Sequence, residues 1–300
     1  MLTFKYKNVD SLPLGHTSDK VTPGCIVLEG GAFRGVYTSG VLDRLMQADI
    51  NMDCTIGVSA GAMNGFNYVS GQIGRSGRIN LTYRHDPRYI GYRALRDNHG
   101  ITGFDFLFNE IPNVLPFDEE TFNNSPRRFV VVATNCITGE PVYFEKGKCS
   151  DIFKAAQASA SVPIASKMVY IDGSPYLDGG CSMKIPVDWA IEQGYEKIVV
   201  VRTRERRYRK PPQRLDALYE RLYDTYPILR ENLEHETEIY NELCDHLDAL
   251  EKQGRIFVIA PTRPVRILRF EGDMEKLGAL YQSGYCDAGG RMHALEEYLK

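Results

Sequence analysis

Short apolar runs that end in glycine alternate along this chain with stretches whose apolar residues return every three or four positions. Residues 25–28, Cys-Ile-Val-Leu, run into Gly30 and Gly31 and predict a buried strand. Between residues 34 and 47, Val36, Tyr37, Val41, Leu42, Leu45 and Met46 fall at helical spacing. Residues 53–57 predict a second strand, and residues 60–69 return to helix. Strand, glycine turn, helix, strand, tight turn, helix is the order that builds parallel strands with crossover helices.

Residues 75–128 are less regular, rich in prolines, aromatics and charges, and predict short helices and loops that cover or flank a site. Further strands are predicted over 129–133, 142–144, 170–171, 176–177, 197–201 and 256–260. Helices are predicted over 150–158, 187–193 and at the C-terminal end. Residues 213–251 predict two long amphipathic helices, broken at Pro227 and packed against the main sheet. Residues 1–20 read as a loose lead-in. Residues 21–300 read as one three-layer α/β/α domain with a mostly parallel sheet, with 213–251 a helical insertion. No internal repeat interrupts it.

Composition narrows the function. Of 300 residues, 43% are hydrophobic and 25% charged, enough for a large core. A net charge of -3 gives no sign of a nucleic-acid partner. Seven cysteines with no CxxC pair argue against a disulfide framework or a zinc site and favour a reducing compartment. The first residues, MLTFKYKNVD, have no apolar signal-peptide region, and no run approaches the roughly 18 apolar residues of a membrane span. The expectation is a cytoplasmic protein whose contact with lipid is peripheral.

Three local signals carry chemistry. Gly57-Val58-Ser59-Ala60-Gly61 matches the GxSxG elbow, between a predicted strand and a predicted helix. Its glycines relieve crowding around a sharp turn, and the following helix aims free N–H groups at the serine. Ser59 could equally cap that helix. Residues 30–35 (Gly30, Gly31, Ala32, Phe33, Arg34, Gly35) form a second strand-to-helix turn, whose N–H groups can hold an anion. One reading is an oxyanion hole beside Ser59. The other is a dinucleotide loop with Asp53 as its acidic partner, although Ala32 stands where GxGxxG needs glycine. Asp178-Gly179-Gly180 follows a strand-like pair, and taken alone reads as a turn.

Together, in this order, the three motifs resemble the patatin-like phospholipase family, most like its bacterial soluble members. The connecting Ala158-Ser159-Ala160-Ser161-Val162-Pro163 agrees, and the resemblance spans residues 24–203. It implies a Ser–Asp dyad without histidine: Ser59 as nucleophile, Asp178 as base, the 30–35 turn as oxyanion hole. Two departures are Ala32, where many members have a third glycine, and Gly180, where some have alanine. An ordinary triad would need His235, His246 or His293, the first two in the long helices and the last in the final one. The implied chemistry passes through an acyl-Ser59 and requires no metal or organic cofactor.

Two features bear on substrate. Arg202, Arg204, Arg206, Arg207, Arg209, Lys210 and Arg214 form a basic segment, either a rim for an anionic headgroup or membrane surface, or a solvated loop. Phe104, Phe106 and Phe108 line either an acyl pocket or the core. The expected activity is a lipid acyl hydrolase, of phospholipase A or carboxylesterase type. The alternatives are a nucleotide-binding module and a catalytically silent lipid binder. Head group, chain length and oligomeric state leave no mark on the sequence.

Overall fold

A computed structural model describes residues 4–212 and 215–300. The chain opens with β1 (Gly15–His16), β2 (Thr22–Leu28), α1 (Val36–Gln47), β3 (Met52–Val58), α2 (Ala60–Val69), β4 (Gln72–Ile73) and α3 (Arg75–Tyr83). It continues through α4 (Tyr92–Asn98), α5 (Glu119–Asn124), β5 (Arg128–Asn135), β6 (Pro141–Glu145), α6 (Ile152–Ser159), β7 (Val169–Ile171), β8 (Ser174–Asp178) and α7 (Val187–Glu192). It closes with β9 (Ile198–Val201), α8 (Asp216–Tyr223), α9 (Pro227–Glu234), α10 (Glu236–Lys252), β10 (Phe257–Ile259) and α11 (Met274–Leu299).

The main sheet has eight strands in the order β10-β9-β2-β3-β5-β8-β7, with β6 also paired to β5. From β10 to β5 every pairing is parallel; β6 and β8 run antiparallel to β5. Both faces are covered, so the central strands carry continuous apolar runs. Alternate residues sort cleanly. Ile26, Leu28, Val199 and Val201 face α1 and α11. Cys25, Val27, Ile198 and Val200 face α7 and α10.

Two expectations are corrected. The lead-in is not loose over its described part. Tyr6, Val9 and Leu12 are buried, Arg78 binds the carbonyls of Leu12 and Pro13 (both 2.7 Å), and β1 pairs with β4. Its apolar residues are few and aperiodic, so their burial had no pattern to announce it. Residues 213–251 do not form two long helices. The described part holds three, and Pro227 opens α9, where its missing N–H would have had no helical partner anyway. Leu247 and Leu250 of α10 pack on the sheet; Tyr219, Tyr223, Leu229 and Leu233 of α8 and α9 cover Leu177 and Cys181.

α1 and α11 pack with backbone nearly touching backbone. A Cβ at Gly40 would collide with the Tyr281 carbonyl, and one at Gly284 with the Tyr37 carbonyl. Two polar contacts flank this seam, the first buried and the second half-buried: Tyr281 donates to Asp43 (2.5 Å) and Tyr37 to Asp287 (3.1 Å).

Candidate active site

Strand β5 brings Ser59 and Asp178 together. Val130, Val131 and Val132 pair with β3 and β6 at once, which puts β3 and β6 on opposite edges of β5. Ala133 and Thr134 pair with β6 and β8 at once, which puts β8 on the edge β3 occupies. The parallel β3 ends at Val58 opposite Val132, and the antiparallel β8 ends at Asp178 opposite Ala133. Two strands thus arrive from opposite directions, and the residues at their meeting ends are the two singled out in the sequence.

The local backbone fits each role. Ser59 has φ 54° and ψ -122°, a left-handed conformation rare outside glycine, at the sharp turn between β3 and α2. Gly57 permits that turn, since a Cβ there would lie 2.6 Å from the Ala62 nitrogen. A Cβ at Gly61 would strike the Leu28 carbonyl, and one at Gly179 the Val132 carbonyl. Gly30 lies against Ser59 and Gly35 against Ala60, with 3.1 Å and 2.8 Å left for an added Cβ, so the 30–35 turn sits over the elbow. Phe33 N–H donates to the Arg269 carbonyl (3.2 Å) and Arg34 N–H to that of Gly31 (3.1 Å). Among the described residues, the N–H groups of Gly30, Gly31 and Ala32 have no such acceptor. Ala32, the departure from glycine, holds φ 49° and accepts the strain glycine would avoid.

Asp178 is buried, and burial without an ion-pair partner pushes its carboxyl above the usual carboxylate range. The neighbouring Ser59 hydroxyl, a hydrogen bond from Gly180 N–H (2.8 Å), and the charges of Lys184 and Arg269 offset part of that rise. The segment at 158–163 ties the two residues together. Ser159 Oγ accepts from Ser59 N–H (2.8 Å), and the Ser161 carbonyl accepts from Asp178 N–H (2.9 Å). Ser159→Ala would leave the Ser59 N–H buried and unpaired. Its expected cost is about 1–3 kcal/mol of stability, read as a lowered thermal midpoint, together with a fall in kcat on a soluble ester that Ser159→Thr partly restores.

Ser59 stands between two cavities that share Ala32, Ser59 and Val162. Measured out to open solvent they span about 1030 and 1390 Å3, at or above the upper end of single small-ligand sites. The first is apolar and aromatic, lined by Met63, Phe66, Ile79, Phe104, Phe108 and Phe153 among others. Of the three phenylalanines in question, Phe104 and Phe108 line it. Phe106 does not: it packs with Tyr83 and Tyr89 in the core. The second cavity is cationic, walled by Arg34, Lys184, Arg204, Lys210 and Arg269.

The basic segment divides. Arg202 is fully buried against Cys244 (3.0 Å), Arg206 pairs with Glu251 (2.6 Å) and Arg209 with Asp245 (2.5 Å) and Asp248 (2.8 Å), all on α10. Arg204 and Lys210 turn to the cavity, Arg207 is exposed, and Arg214 lies outside the described residues. Sequence reasoning missed Lys184, Glu236 and Arg269. Lys184 follows Asp178 closely enough to be suspected; Arg269 lies on a distant loop and carried no signal. Among the described residues no histidine lines either cavity; His246 bonds Asp188 (2.8 Å) at the surface.

This mixed α/β chain falls in a class of lipid hydrolases by its family match. The chain belongs to the patatin-like phospholipase family, whose family model matches residues 26–191. A model described as a domain of unknown function matches residues 226–300. The uncharacterized protein YjjU of Escherichia coli is 28% identical over 271 residues, 87% of this chain and 75% of its own. A probable lipid hydrolase, 463L of Invertebrate iridescent virus 6, is 26% identical over 189 residues, 57% of this chain and 64% of its own. The crystal structure of VipD from Legionella pneumophila aligns over 96% of this chain and 70% of that one, with a TM-score of 0.46 and 13% identity. Among the described residues no helix is long and apolar enough to cross a membrane.

Proposed function

We propose that this protein is a lipid acyl hydrolase that works through a Ser59–Asp178 dyad and an acyl-serine intermediate. One observation carries the reading: Ser59 and the buried Asp178 carboxyl, brought to one edge of β5 by the abutting ends of β3 and β8, line one cavity where an apolar cavity meets a cationic one. The acyl chain lies in the apolar cavity and the alcohol portion in the other. Asp178 takes the hydroxyl proton as Ser59 Oγ attacks the ester carbon. Free N–H groups of residues 30–32 receive the developing oxyanion, each such donor contributing roughly 3 kcal/mol. The alcohol leaves with the proton, and a water activated by Asp178 releases the acid. The site of action is the cytoplasm, with peripheral access to lipid.

The test is a fluorophosphonate probe together with a p-nitrophenyl ester panel. Covalent labelling and ester turnover are expected in the wild type, and both should vanish in Ser59→Ala. Lipid binding without labelling would favour a silent lipid binder. A thermal shift with NAD or ATP and no labelling would favour the nucleotide-binding reading of residues 30–35.

A further inference from the structure

Two of the five cations that wall the second cavity are already paired. Lys184 and Lys210 share Glu236, the first at 2.5 Å, and Arg206 and Arg209 pair with α10. Arg34, Arg204 and Arg269 differ. Among the described residues none of the three forms an ion pair, although all line the cavity that holds Ser59 and Asp178. The Arg34 Nε is buried without a hydrogen-bond partner. Arg204 spends one nitrogen on the Val265 carbonyl (2.5 Å) and stacks over Tyr208, 4.4 Å from the ring centre. After burial, the like charge of Arg204 is the largest influence lowering the Arg34 pKa, and Arg269 adds to it. Converging guanidiniums with open donor faces repel one another until an anion sits between them.

Apart from Asp178, the proposed base, the carboxylates that line the cavity are committed. Glu29 accepts from Tyr240 OH (2.8 Å) and from the Thr203 N–H, and Glu236 is held by its two lysines. A positively charged head group would therefore find no carboxylate there beyond the proposed base, whereas a phosphate finds three guanidiniums.

We propose that Arg34, Arg204 and Arg269 form an anion subsite for the alcohol side of the ester, so that substrates with a net-anionic phosphate head group are preferred over zwitterionic ones. The inference rests on the ester-hydrolase reading of Ser59 and adds the head-group class to it. Arg269 comes from the C-terminal region and Arg34 from the loop over the elbow, so the subsite spans both matched regions of the chain.

The test compares dihexanoyl phosphatidylglycerol with dihexanoyl phosphatidylcholine as monomers, which removes any lipid surface and leaves the head group as the variable. The wild type is expected to favour the glycerol lipid at least tenfold in kcat/KM. Arg204→Gln and Arg269→Gln should each cut that ratio several-fold, and the double variant should erase it. The exposed Arg207→Gln serves as the charge-matched control and should keep it. In parallel, inorganic phosphate is titrated calorimetrically into the wild type and the double variant, with binding expected only in the former. Equal turnover of the two lipids, or a preference that survives in the double variant, overturns the head-group assignment. Phosphate binding with equal lipid turnover assigns the arginines to a free anion and overturns it too. If neither lipid is hydrolysed, the ester reading fails separately, and arginine-dependent phosphate binding then upholds the anion site on its own.

Discussion

Asp178→Asn is expected to lower kcat on a soluble ester by about 10²- to 10⁴-fold, the range a positioned general base supplies, with little change in KM. The amide keeps the shape of the carboxyl and can still accept from Gly180 N–H. What it loses is the capacity to take the Ser59 proton. In the wild type the base works only when ionised. Because burial raises the Asp178 pKa, activity should fall on the acid side at a pH above the ordinary carboxylate range, near 4. Stability moves the other way. A carboxyl whose folded pKa is raised contributes most below its unfolded pKa, and that contribution is lost as pH rises through the folded value. At neutral pH the ionised Asp178 therefore burdens the fold, and Asp178→Asn should raise the thermal midpoint while it removes activity. A pH–rate profile and a melting curve on the same preparations check both signs. Full activity in the variant would end the dyad assignment.

Gly284→Ala is expected to cost about 3 kcal/mol, at the upper end of overpacking penalties. The added methyl has nowhere to go, because its obstacle is the backbone carbonyl of Tyr37 rather than a side chain that can swing away. α1 and α11 must separate, and α1 carries the 30–35 turn at its N-terminal end. Activity should fall along with stability. The control lies on the same helix: Gly290 has open space where its Cβ would be, and Gly290→Ala should be neutral or stabilising by up to about 1 kcal/mol, alanine being the better helix former. Chemical denaturation of the two variants separates a packing clash from a general effect of glycine replacement.

The sheet was legible because its strands are buried on both faces. Runs such as residues 25–28 and 129–133 lack the helical period and end in turn residues, so their type could be read and only their ends moved by a residue or three. The parallel path from β2 to β5 followed from the crossover helices. The turn of direction at β8 did not, because nothing in Tyr176 or Leu177 says which neighbour a strand will choose. At the site, Ser59, Asp178 and the 30–35 turn announced themselves through glycines that only close backbone contacts require. The cavity walls were silent. Phe66, Phe117 and Phe153 look like ordinary core residues of scattered segments, and folding alone makes them neighbours across one cavity. The basic segment stayed open between two readings for a related reason: charge is visible in a sequence, but which of its residues α10 neutralises is not.

The abutment of β3 and β8 on one edge of β5 has a further consequence. Side chains alternate sides along a strand, so sliding β8 by a single residue would turn Asp178 away from Ser59 and offer Leu177 in its place. Such a chain would keep most of its ladder and much of its core, yet lose the proposed base. On the proposed dyad, the pairing of Asp178 with Ala133 is a timing mark for the chemistry, and a strand out of phase by one is expected to yield a molecule that is folded and inert.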